Sequence, residues 1–87
     1  MATVVLPRSL IALFPAATRR EPVTGGTVAE LLVQLDRRIP GLRDRLADGG
    51  RLRPHINVYV DGRPADLATE VSGDAVVHVI PAVSGGR

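Results

Sequence analysis

The sequence predicts an α+β domain in which a single main helix packs on one face of a small mixed sheet. Three observations predict it. Val28, Leu31, Leu32, Leu35 and Ile39 recur at helical spacing and form one apolar stripe. Short runs rich in β-branched residues lie on both sides of that stripe, at residues 3–7, 56–60 and 75–81. Turn signals separate these runs at Gly25-Gly26, Asp61-Gly62 and Ser72-Gly73-Asp74. A chain of 87 residues fits one domain with one modest core.

Each element has a local reason. Thr3-Val4-Val5-Leu6-Pro7 is an apolar run stopped by proline, and reads as the first strand. Residues 9–17 read as an irregular segment that sets Leu10, Leu13 and Phe14 against the core before Pro15 ends it. Residues 18–23 are polar and extended. They read as an edge strand pairing back on the first, with charges and Pro22 discouraging wrong partners. Thr27 is a suitable N-cap, and Glu30 three residues later completes a capping box, so a helix spans residues 27–39. Full burial of each apolar residue in its stripe contributes about 1.5–3 kcal/mol. Pro40-Gly41 ends this helix, and Leu42 with Leu46 predicts one or two further turns. Residues 51–54 read as a linker. Ile56, Val58 and Val60 alternate onto one face of a strand that Asp61-Gly62 turns back into a short return at residues 63–65. Residues 66–74 are polar and irregular, and the final strand runs from Ala75 to Pro81. This order, with the first and last strands parallel in the middle, is the ubiquitin-like β-grasp. It divides the chain into a domain at residues 1–81 and a flexible tail at residues 82–87.

Composition excludes several kinds of function. Aromatic residues make up 2%, so the core is aliphatic and a base-stacking nucleic-acid surface is not expected. The net charge is +2, and the arginines are spread along the chain without forming a block. Cysteine is absent, which removes thiolate metal sites and cysteine nucleophiles. Lysine is absent too, so the chain cannot accept an isopeptide bond on itself. No apolar run approaches membrane-spanning length and no signal peptide opens the sequence, so the expected location is the cytoplasm.

A search for catalysis ends empty. Gly25-Gly26-Thr27 precedes a helix but lacks the spacing and lysine of a phosphate loop. His55 and His78 have no partner at metal-ligand spacing. Asp36, Asp44 and Asp48 read as solvated helix charges, and Ser9 and Ser84 have no visible triad partners. What remains is Val83-Ser84-Gly85-Gly86-Arg87. Adjacent glycines have no side chain to pack and order at high entropic cost. Such an ending is either a frayed end or a thread slim enough for a narrow channel. In the second case, a glycine carboxylate could attack the α-phosphate of ATP to form an acyl-adenylate. Nothing in this chain could bind ATP or deliver sulfur, so a partner would supply that chemistry.

The ending Ile80-Pro81-Ala82-Val83-Ser84-Gly85-Gly86, with Ser72-Gly73-Asp74 before the last strand and the Thr-Val-Ala-Glu-Leu-Leu helix opening, resembles the MoaD/ThiS family of sulfur-carrier proteins. Ile56-Asn57-Val58-Tyr59-Val60-Asp61 together with Pro81-Ala82-Val83 is closest to the CysO branch, which carries sulfide for cysteine biosynthesis. The resemblance implies a protein that is not an enzyme. An E1-like adenylyltransferase of the ThiF/MoeB type, using ATP, would adenylate Gly86, and sulfur transfer would leave a C-terminal thiocarboxylate there. A sulfur-accepting synthase would take the sulfide. Val83, Ser84, Gly85 and Gly86 would thread into the partner, and Tyr59, His78 and Ile80 would form the partner-binding face. The family's working form ends at the second glycine, so Arg87 would be removed, by a JAMM-type peptidase if it is a natural extension. No bound cofactor, metal, nucleic acid or membrane is implied. A ubiquitin-like modifier joined to target lysines, or an interaction module that is never activated, are the alternatives.

Overall fold

The structure, a computed structural model, describes residues 1–81, so the tail at residues 82–87 lies outside the described residues. Strand β1 (Ala2–Val5) leads into a short helix, α1 (Arg8–Ile11), and strand β2 (Arg20–Val23) follows. The main helix α2 (Val28–Arg38) and a single-turn helix α3 (Leu42–Leu46) come next. Two-residue strands β3 (Ala47–Asp48) and β4 (Arg51–Leu52) precede β5 (Ile56–Val60), β6 (Arg63–Ala65) and β7 (Val76–Pro81). The main sheet has the order β2-β1-β7-β5-β6. Strands β1 and β7 are parallel, pairing Thr3 with Val76, Val4 with Val77 and Val5 with His78. All other pairs in this sheet are antiparallel.

The alternation read from the sequence decides which face is covered. Val4, Val58, Val60, Val77 and Val79 point to one side and are buried there with Val28, Leu31, Leu32 and Leu35 of α2. Leu42 and Leu46 of α3 close the same core. The largest fully buried side chains are all Leu and Val, as the scarcity of aromatics requires. Phe14 is partly buried and packs against this core, and a Cβ on Gly41 would meet its ring at 3.3 Å. Gly41 has φ +95°, a conformation that side chains disfavour, and this sets the turn between α2 and α3.

The helix start is held more tightly than its cap alone explains. The Glu30 N–H donates to Thr27 Oγ1 at 3.2 Å, as a capping box predicts. Glu30 Oε1, however, accepts from Gly26 N–H at 2.7 Å, one residue earlier than that motif specifies. The N–H groups of Val28 and Ala29 donate to the carbonyls of Thr69 and Leu67. These are free donors of the first helical turn, so the loop after β6 satisfies them. In that loop Asp66 Oδ1 accepts from Ala68 N–H and Thr69 Oγ1, fixing a turn that polarity alone left undefined.

Four readings need correction. Leu13 is 51% exposed, because α1 ends at Ile11 and the chain turns before Leu13 can stack over Leu10. Residues 51–54 are not a plain linker, since Gly49 at φ +64° lets β4 fold back on β3. Asp36 is not merely solvated: its Oδ1 accepts from Gly41 N–H and Arg43 N–H, both at 3.1 Å, and so joins α2 to α3. The edge strand β2 starts at Arg20, later than residue 18, because Thr18 turns its N–H and Oγ1 onto Glu21 Oε2. Glu21 itself is buried, with Arg38 of α2 at 3.2 Å from its Oε1. Arg38 also donates to the Pro22 carbonyl at 2.8 Å, pinning the end of the helix to the edge strand.

Leu31 lies at the centre of the helix stripe and is fully buried. Leu31→Ala should lower unfolding free energy by about 2–5 kcal/mol through the cavity it leaves. A denaturant titration showing no change would contradict the placement of α2 on the core.

Candidate functional site

The sheet has a second face, which no described helix covers, although Val5 on it is buried. Alternation brings Thr3, Val5, Arg20, Pro22, Asn57, Tyr59, Pro64, Val76, His78 and Ile80 to this side. Register fixes the order of its central row: Arg20 opposite Val5, Val5 beside His78, His78 opposite Tyr59, Tyr59 opposite Pro64. His78 is exposed, Tyr59 half-buried, and Ile80 is 44% exposed, which is uncommon for an isoleucine in a strand. Asn57 pairs with Ile80 one step along. Among these residues there is no carboxylate.

The structure thus brings Tyr59, His78 and Ile80 together on one open surface. Sequence alternation put His78 and Ile80 on one face of β7, while the contact with Tyr59 depends on a cross-strand register that no single-strand pattern reveals. The other expected site residues, Val83, Ser84, Gly85, Gly86 and Arg87, lie outside the described residues. Their attachment point is described: β7 ends at Pro81, paired with Ile56. The strand that leads to Gly86 is therefore held between β1 and β5 in the middle of the sheet.

The turn that starts β7 is equally well fixed. Asp61 and Gly62 both have positive φ, +50° and +85°, as a two-residue hairpin turn of this type requires. Asp61 Oδ1 accepts from Val76 N–H, and Asp61 N–H donates to the Val76 carbonyl, both at 2.9 Å. Sequence reading found the turn but missed this link to β7. Among the described residues, no three His, Asp or Glu side chains come together in a way that could hold a metal ion. His55 and His78 lie apart, one before β5 and the other within β7. No described helix is long and apolar enough to cross a membrane.

A central parallel pair, a helix on one face and a bare second face beside the chain end define the class of ubiquitin-like β-grasp proteins, sulfur carriers and modifiers among them. Residues 4–86 match the ThiS family, and the chain belongs to it. Small archaeal modifier protein 3 of Haloferax volcanii is 36% identical over 64 residues, which are 69% of this chain and 70% of that protein. A chain in the crystal structure of the Amycolatopsis orientalis BexX/CysO complex is similar with a TM-score of 0.90 at 29% identity, covering 99% of this chain and 100% of that one. CysO of Mycobacterium tuberculosis is similar with a TM-score of 0.87 at 26% identity, covering 95% and 100%. Members of this family are small carrier or modifier proteins and not catalysts, and the resemblance read from the last strand and the tail is thereby established.

If the second face is unburdened by packing, His78→Ala should change stability by no more than about 0.5 kcal/mol. A larger loss in a thermal or denaturant melt would show that His78 supports the fold.

Proposed function

We propose that this chain is a sulfur carrier whose working group is the carboxylate of Gly86. The observation that carries the reading is the extent of the family match, which runs through the last strand and stops at Gly86. In this sequence Gly86 is joined to Arg87 by a peptide bond. That amide has no carboxylate to activate, so hydrolysis after Gly86 comes first; a JAMM-type peptidase is the proposed agent. The freed carboxylate attacks the α-phosphate of ATP on a ThiF/MoeB-type enzyme. The bond from that phosphorus to the bridging oxygen breaks, pyrophosphate leaves, and an acyl-adenylate forms. Hydrosulfide then attacks the acyl carbon, or a persulfide does so before reduction by a thiol. AMP departs and a thiocarboxylate remains. An acceptor synthase takes the sulfur, and water restores the carboxylate.

Every catalytic group and the ATP belong to the partners, while this chain supplies geometry. The pairing of β7 on both sides fixes where the tail begins. Gly85 and Gly86 present no side chain to a narrow channel. Tyr59, His78 and Ile80 offer the partner a docking face with an apolar component. The CysO likeness favours sulfide delivery to a biosynthetic enzyme, cysteine synthesis being the nearest precedent. A second reading draws on the 36% identity to an archaeal modifier protein: Gly86 joined to lysines of target proteins. Both readings share the activation step and differ in the product.

Deleting Gly86 and Arg87 should abolish adenylation, read as AMP release with the activating enzyme, and leave the melting temperature unchanged. Gly85→Val in a chain ending at Gly86 should bind the enzyme yet fail to react. Normal adenylation of either variant would contradict the role given to the tail.

A further inference from the structure

Arginines gather at the finishing end of β7. Its end, at Pro81, pairs with Ile56, whose N–H donates to the Arg53 carbonyl. Strand β1 runs parallel beside β7 and finishes at the same end, where Arg8 opens α1. Leu6 N–H donates to the Arg19 carbonyl, and Val5 pairs with Arg20. Arg8, Arg19, Arg20 and Arg53 therefore surround the strand end from which the tail continues. Arg8, Arg19 and Arg20 are exposed and have no side-chain hydrogen bond or ion pair among the described residues, whereas Arg53 Nε donates to the Asp44 carbonyl at 2.6 Å and its guanidinium lies 4.0 Å from Asp48. At the opposite end, Asp61 closes the turn onto Val76, and Glu70 and Asp74 lie in the loop that enters β7. Arg63 opens β6 on that side, and Arg38 reaches the same side, donating to the carbonyl of Pro22, which pairs with Thr3 beside Val76.

We propose that this arginine collar docks against a carboxylate-rich rim on the activating protein, set around the channel that receives the tail; the inference rests on the carrier reading above. A net charge of +2 is too small to direct the whole molecule, but a local cluster of arginines beside the tail orients it. Clustered charge at a binding site raises association rates by about 10–10³-fold, and salt removes the gain. At physiological ionic strength the field reaches only about 8 Å, so residues at the tail exit count and distant ones do not. A protein partner fits better than a nucleic acid, because Ile80 exposes apolar surface on this face and base stacking finds few aromatic rings there.

The test uses a chain ending at Gly86, so that no peptidase is needed, with the ThiF/MoeB-type enzyme of the same genome. Arg8→Glu and Arg20→Glu should each lower kcat/KM for adenylation about tenfold at low salt. The loss should fall on KM, with kcat within about twofold, and should shrink as salt rises. Arg63→Glu changes net charge equally at the far end and should leave kcat/KM near the starting value. Circular dichroism checks that each variant folds, and Arg8→Gln should show a smaller loss of the same kind. Equal effects from Arg63→Glu, or kcat/KM unchanged in the collar variants, would overturn the inference alone. Loss of duplex DNA binding in those variants with adenylation intact would assign the collar to nucleic acid and overturn it. Failure of the unaltered chain to be adenylated would overturn the carrier reading and this inference with it.

Discussion

The parallel pairing of β1 with β7 is the constraint on which the rest of this structure depends. It brings the beginning and the end of the chain together at the centre of one sheet. The β1–β2 pair and the β5–β6 hairpin meet only through β7. A parallel neighbour also demands a long crossover, and α2 with its loops provides it on one face. Covering one face in this way leaves the other bare. The same pairing therefore sets the core, the open surface and the fixed point from which the tail departs.

The core tolerates a near absence of aromatics because its layers are thin and regular. Val alternates along β5 and β7, and Leu fills the stripe of α2. Polar groups complete the edges that apolar packing leaves loose. Glu21 and Arg38 tie the end of α2 to β2, and the loop after β6 closes the start of α2 with backbone carbonyls. Arg38 is half exposed, so its ion pair with Glu21 is screened by water and serves geometry more than stability. These polar ties hold the ends of a helix whose centre is held by burial.

Much of this was legible in the sequence wherever period and punctuation agree. The stripe from Val28 to Ile39, the alternation of Ile56, Val58 and Val60, and the turn at Asp61-Gly62 each depend on near neighbours. The central parallel pair followed from the order of elements. Long-range polar contacts were not legible, because nothing local marks Asp36 as the acceptor for Gly41 and Arg43, or Glu21 as a buried carboxylate. Leu13 was misplaced because a segment read as irregular has no period that separates its buried from its exposed apolar residues. Of the candidate site, the face of His78 and Ile80 could be read from alternation, while Tyr59 opposite His78 required the register. The arginines looked dispersed in the linear sequence, and only the strand ends bring four of them together.

The central claim is that Gly86 becomes a thiocarboxylate. Intact mass of the chain, after co-expression with the activating, sulfur-transfer and peptidase enzymes of its own genome, tests it most directly. The account predicts loss of everything after Gly86 together with exchange of one oxygen for sulfur. An unchanged mass, under conditions where the same enzymes convert another carrier, would contradict it.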